Sequence, residues 1–70
     1  MAYFEDNSPA MLELEGMVDK VGLRNVLYAL SRICAGKADH IVESWQDRTT
    51  AAVWYAMSSK LDALAAKVRI

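Results

Sequence analysis

The sequence predicts an all-α fold, a small three-helix bundle with a long central helix, in which residues 1–70 form a single helical domain. Apolar residues recur at spacings of three and four in three consecutive segments, which is the period of an amphipathic helix. No segment alternates apolar and polar residues as a half-buried strand does, and the only proline, Pro9, stands at the start of the first periodic segment. Seventy residues are the length of one domain.

The first helix is predicted over residues 9–20, after an N-terminal tail of residues 1–8. Ser8 is a typical N-cap, and Pro9 suits the first helical position, where its missing N–H costs nothing. Gly22 is predicted to end this helix. The apolar positions that should face the core are Ala10, Leu14, Met17, Val18 and Val21.

The second helix is predicted over residues 23–44 and carries the most continuous apolar stripe of the chain. A helix of this length spans roughly 33 Å, so both other helices should pack along it. Leu30 lies in the middle of the stripe and is predicted to be a core residue, whereas Lys37 lies within the same stripe and should keep its ammonium in water or beside an acid. The stripe consists of Leu23, Val26, Leu27, Leu30, Ile33, Cys34, Ala38, Ile41 and Trp45.

The third helix is predicted over residues 50–68, with Asp47 or Thr49 as its N-cap. Short connections on both sides favour antiparallel neighbours. Its predicted core residues are Trp54, Met57, Leu61, Leu64, Ala65 and Val68.

Composition excludes several classes of function. Eight basic and nine acidic side chains are intermingled and give a net charge of −1, so electrostatics disfavours a nucleic-acid partner. No apolar run reaches the length of a membrane span, and the first residues do not resemble a secretion signal, so we expect a cytoplasmic protein without a membrane partner. Cys34 is the only cysteine, so no disulfide within the chain stabilises it. A chain this short needs another source of stability, and self-association as a homodimer is the simplest one.

The outer side of the third helix is the predicted partner-binding surface. Small residues recur there at spacings of four and three, which would let a second helix approach closely, and Tyr55 beside them could serve as an aromatic anchor. Long charged side chains are nearly absent from this side. The alternative is that the alanines simply favour a helix and face water. The predicted partner-binding residues are Ala52, Tyr55, Ala56, Ser59, Ala63 and Ala66, together with Tyr3, Phe4 and Leu12.

Two other functions stay open as alternatives. His40 and Glu43 stand in a His-x-x-Glu spacing that, with Glu13 or Glu15 across a dimer, could form a metal-binding bundle. One such unit supplies at most two ligands where zinc needs three or four, so we predict no metal, no cofactor and a structural or solvent-facing His40.

The first two helices also have the spacing of a helix-turn-helix DNA-binding protein. Arg24, Asn25, Tyr28 and Arg32 are suited to contact DNA near the start of the second helix. The acidic residues of the same two helices oppose this alternative.

Three short motifs resemble a group of small uncharacterised helical proteins from bacteria, phages and plasmids. They are Gly-Leu-x-x-Val-Leu-x-Ala-Leu from Gly22, Ile-Cys-x-x-Lys-Ala-x-His from Ile33, and Trp45-Gln46-Asp47. The resemblance covers residues 12–60 and supplies no catalytic residues, because the group has no established activity. It implies a binder or inhibitor of a host or phage protein. We therefore expect a non-enzymatic helical protein–protein interaction module.

Overall fold

The computed structural model describes residues 5–70, which form three α-helices and no strand. The helices are α1 (Pro9–Val21), α2 (Leu23–Trp45) and α3 (Arg48–Lys67). The predicted all-α fold with a long central helix is confirmed, and each helix end lies within two residues of its prediction. The predicted contributions of Tyr3 and Phe4 lie outside the described residues.

The helix ends at the α1–α2 junction follow from a few local residues. The Ser8 side chain accepts a hydrogen bond of 3.1 Å from the backbone N–H of Met11, so it is the N-cap of α1. Gly22 is the only residue between α1 and α2, and its N–H donates to the carbonyl of Val18 at 2.8 Å. Its φ of 90° and ψ of 152° belong to a region that is essentially restricted to glycine. The predicted helix end at Gly22 therefore also sets the direction in which α2 leaves α1.

Asp47 is the N-cap of α3. Its carboxylate accepts the backbone N–H of Thr50 at 3.0 Å and the Thr50 hydroxyl at 2.7 Å. These two bonds hold the pKa of Asp47 below its ordinary value because they stabilise the charged form, and the bond from the Thr50 hydroxyl has the larger effect. Gln46, in the left-handed conformation, ends α2 just before this cap.

We expect α3 to lose capping stabilisation in acid. Because the pKa of Asp47 is lowered in the folded state, its contribution is fully present above the unfolded-state pKa and disappears as the pH falls through the folded value. Circular dichroism between neutral pH and pH about 2 should therefore show a loss of helicity in acid. This loss should be smaller for Asp47→Asn, since asparagine keeps the hydrogen-bond acceptor without titrating. An identical acid profile for wild type and variant would contradict the assigned role.

An antiparallel seam of small residues joins α2 to α3. Ser31 and Ala38 on α2 and Ala51 and Ala65 on α3 are buried, and residues of each set are separated by multiples of seven positions. The backbone N–H of Arg24 also donates to the carbonyl of Ile70 at 2.7 Å, at the far end of the pair. Small side chains every seventh position let two helices approach closely, and they fix where α3 lies on α2.

The seam corrects the predicted core. Leu30 is 39% exposed and Ile33 is 55% exposed on α2, and Met57 and Leu64 on α3 are 39% and 48% exposed. Three other side chains predicted to face the core, Met17, Val21 and Trp45, are also exposed, whereas Val26, Ala38 and Ala65 are buried. On α2 and α3, the physical reason is that the helices meet along their small residues, about a quarter turn away from the large apolar stripes. The other ten predicted core residues are only half-buried: Ala10, Leu14, Val18, Leu23, Leu27, Cys34, Ile41, Trp54, Leu61 and Val68.

The three helices form an open arrangement. Among the described residues, α1 packs against α2, and no contact joins α1 to α3. The radius of gyration is 13.9 Å, compared with about 11 Å for a compact domain of this length. Only small side chains are fully buried in the described part of the chain, and Ser31 is the largest of them. The described part of the chain therefore has a seam of small residues rather than a thick hydrophobic core.

Candidate interaction surfaces

Ser31 anchors one side of the seam. Its hydroxyl donates to Oδ1 of Asp62 at 2.6 Å and lies 3.2 Å from the hydroxyl of Ser58. Because one hydroxyl carries one proton, the Ser58 hydroxyl is the donor in the second bond. The carboxylate therefore holds Ser31 in a hydrogen-bond network that joins the two helices.

Tyr55 makes a second cross-helix bond on this side. Its phenol donates to the carboxylate of Asp39 on α2. This bond raises the pKa of Tyr55 because the phenol must keep its proton to donate, and burial and the negative charges of Asp39 and Glu43 raise it further. Tyr55 thus holds α2 and α3 together within one chain, while its role as an anchor for a partner stays a prediction.

An open polar groove of about 420 Å³ runs along this side of the seam. The charged residues Arg32, Asp39 and Asp62 line it. Tyr28 and Ala35 of α2 also line it. These residues define the polar side of the α2–α3 pair.

The opposite side of the same pair is apolar. Ala35 and Asp62 line the polar groove, and each follows a seam residue, Ser31 or Ser58, by four positions. In a helix, the residues three and four positions after a given residue lie on opposite sides of it. In both antiparallel helices, the positions three residues after the seam residues therefore lie on the side opposite the groove. Those positions are half-buried and apolar: Leu27, Cys34, Ile41, Trp54, Leu61 and Val68.

Four exposed residues of the misassigned stripes lie farther from the seam on that side. We call Leu30, Ile33, Met57 and Leu64, with the half-buried residues beside them, the apolar face. Its four outer members come from two helices, and they are all large. Lys37 is exposed on the same side of α2, so its four-carbon stem adds apolar surface while its ammonium reaches water. One contiguous apolar surface therefore combines the stripes of α2 and α3.

The predicted small-residue row occupies a different part of α3. All of its members are exposed on the side of α3 away from the apolar face, and so is Leu12 on α1. Partner binding by the row stays a prediction, as do Tyr3 and Phe4, which lie outside the described residues. Below, the alanine row means Ala52, Ala56, Ser59, Ala63 and Ala66.

The residues of the two alternative functions have local partners. Nδ1 of His40 lies 3.5 Å from the hydroxyl of Ser44, one turn later on α2. Between residues 5 and 70, no three His, Cys, Asp or Glu side chains form a group that could hold a metal ion. The side-chain amide of Asn25 donates to the carbonyl of Val21 at 2.7 Å, so it supports the α1–α2 junction. Arg24 and Arg32 are exposed.

The sequence carried a signal for the seam that the apolar periodicity concealed. Ser31 and Ala38 are seven residues apart, and so are Ala51, Ser58 and Ala65. A heptad of small residues on two neighbouring segments is typical of closely packed antiparallel helices. This heptad of small residues distinguishes the seam positions from the large apolar stripes.

Residues 5–70 define a small all-α three-helix fold whose apolar face is exposed among the described residues. No protein-family model matches the chain, and neither a curated protein nor a solved structure shows significant similarity. Within residues 5–70, none of the helices has the length and apolar character needed to cross a membrane.

Proposed function

We propose that this chain is a non-enzymatic protein–protein interaction module that binds through its apolar face. The observation that carries the proposal is the exposure of Leu30, Ile33, Met57 and Leu64. Helical periodicity relative to the seam places these residues on the same side of the α2–α3 pair. Scattered apolar side chains are normal on a protein surface, but a contiguous patch drawn from two helices marks an interaction site.

The energetics of the chain support the same function. Burial of large apolar side chains is the main favourable term in folding, and here the described chain fully buries little more than alanine and serine side chains. Each large apolar side chain gains about 1.5–3 kcal/mol when it moves from water into an interface. Covering the apolar face with another protein therefore supplies stability that the small seam lacks. A host or phage protein, as the sequence resemblance implies, is one class of target.

We expect Ile33→Glu/Leu64→Glu to abolish binding, because each glutamate would place an unpaired charge within the apolar contact. The matched control is Ala56→Glu/Ala63→Glu, which adds the same two negative charges but places both on the alanine row of α3. Tagged wild type and both variants would be purified from cells that also produce a differently tagged wild-type copy, and co-purifying proteins would be quantified. Circular dichroism would check that all three remain helical.

These two variants decide between the competing surfaces. Loss of co-purifying proteins with Ile33→Glu/Leu64→Glu alone is the expected result. If the alanine-row variant alone lost them, the binding site would be the alanine row, and the apolar face would be wrong. Retention of every partner by both variants would overturn the proposed function.

A further inference from the structure

We infer that the apolar face is covered by a second copy of this chain, in a two-fold dimer that sets the acidic α1 of each protomer against the basic α3 of the other. This inference rests on the proposed function and names the partner. Two independent properties of the chain lead to it: the amount of surface that it leaves exposed, and the distribution of its charges.

The exposed area is the size that a dimer requires. The chain exposes 5696 Å², whereas the scaling of surface with mass gives about 4,400 Å² for a folded monomer of 7.8 kDa. Even if residues 1–4 are assigned a full extended-chain area of about 740 Å², the rest of the chain exposes about 800 Å² more than the same scaling gives for its mass. A stable interface of standard size buries about 800 Å² on each partner. The excess therefore matches one interface per chain.

The charges favour an identical partner. Residues 5–21 contain five acidic side chains and one basic side chain, Lys20, which gives −4, whereas residues 47–70 contain four basic and two acidic side chains, which gives +2. Within one protomer, α1 does not contact α3, so these opposite charges are not brought together. A two-fold interface uses the same surface on both copies, so it can pair α1 with α3 twice. No other partner is guaranteed to carry the matching charges.

Sedimentation velocity over a concentration series tests the dimer directly. We expect the wild type to be dimeric at about 100 µM, since an interface of this size is typical of stable complexes. Ile33→Glu/Leu64→Glu should raise the dissociation constant at least about 100-fold, because the dimer would bury four unpaired carboxylates. Ala56→Glu/Ala63→Glu should leave it within about threefold, because exposed charges contribute little.

A charge exchange tests the arrangement. Lys60→Glu/Lys67→Glu makes α3 acidic, and Glu13→Lys/Glu15→Lys makes α1 basic; all four residues are exposed. Each variant alone should dimerise at least about tenfold more weakly, since both α1–α3 contacts become repulsive. An equal mixture of the two should recover dimers, because each contact in the mixed dimer again joins opposite charges. Added salt should weaken the wild-type dimer and this mixed dimer alike.

The control for the mixture is Arg24→Glu/Arg32→Glu, which changes the net charge as much as Lys60→Glu/Lys67→Glu but alters α2. This control keeps its own α1–α3 contacts, but mixed with Glu13→Lys/Glu15→Lys it should form few mixed dimers, since one α1–α3 contact in the mixed dimer joins like charges. Equal recovery would show that net charge alone drives pairing and would overturn the α1–α3 arrangement. A monomeric wild type at about 100 µM would overturn the dimer. Face-dependent capture of another protein would then still support the proposed function, whereas its absence would reject both.

Discussion

Replacement of Gly22 by alanine is expected to destabilise the protein by about 2 kcal/mol or more, because its φ and ψ lie where a residue with a Cβ is strained. Gly22 has a φ of 90° and a ψ of 152°, and a Cβ built on it would lie 3.3 Å from the carbonyl carbon of Ile70. That contact is with backbone, which cannot rotate away as a side chain can. Urea unfolding followed by circular dichroism would measure the loss.

The other two glycines are matched controls for this substitution. Gly16 lies within α1 and Gly36 within α2, and a Cβ at either position would meet no atom within 4 Å. Alanine there should raise stability by about 0.5–1 kcal/mol, because glycine is a poor helix former. If Gly22→Ala stabilised the protein as these two do, the tight junction between α1 and α2 would be wrong.

The helices could be predicted from the sequence because their signals are local. Ser8, Pro9 and Gly22 mark the ends of α1, and Asp47 marks the start of α3. Each of these residues acts through the backbone of its own neighbours, within four positions along the chain. Local sequence therefore contains the information that sets helix bounds, which is why the predicted and observed ends nearly coincide.

The packing could not be predicted from the same periodicity. The stripe around Leu30 correctly identifies the apolar side of α2, but periodicity does not indicate whether another helix of the same chain covers that side. The position of α3 is instead set by contacts between residues far apart in sequence, such as Ser31 with Asp62 and Asp39 with Tyr55. Those polar pairs have no local signature, so apolar periodicity predicted a core of large residues that the described chain does not form.

The sequence indicated one exposed surface of α3 correctly but did not indicate the apolar face. The exposed position of the alanine row follows from α3 periodicity alone, and the structure places it in water. The apolar face was missed as a surface because its members had been assigned to the core. An apolar stripe in a chain of 70 residues is therefore ambiguous: it can be the core of a monomer or the contact of an assembly.

Substitution of Ala38 and Ala65 by leucine is the sharpest test of the small-residue seam. Both alanines are 0% exposed, on opposite helices and towards opposite ends of the seam. Overpacking costs about 1–3 kcal/mol at each position. The two sites are distant along the seam, so their effects should add to about 2–6 kcal/mol. The whole chain is expected to have only about 3.5–10 kcal/mol of stability, so the double variant should lose about half of it and unfold at a clearly lower temperature than the wild type.

Leucine and alanine are both good helix formers, so the expected loss reflects packing rather than helix propensity. Ala29→Leu on α2 and Ala63→Leu on α3 are the matched controls, because both positions are exposed. Thermal unfolding of each control should differ from wild type by no more than about 0.5 kcal/mol. If Ala38→Leu/Ala65→Leu unfolded at the same temperature as the controls, α2 and α3 would not meet along their small residues. The large apolar stripes would then be free to form the contact between the two helices, and no apolar face would be left to bind a second copy.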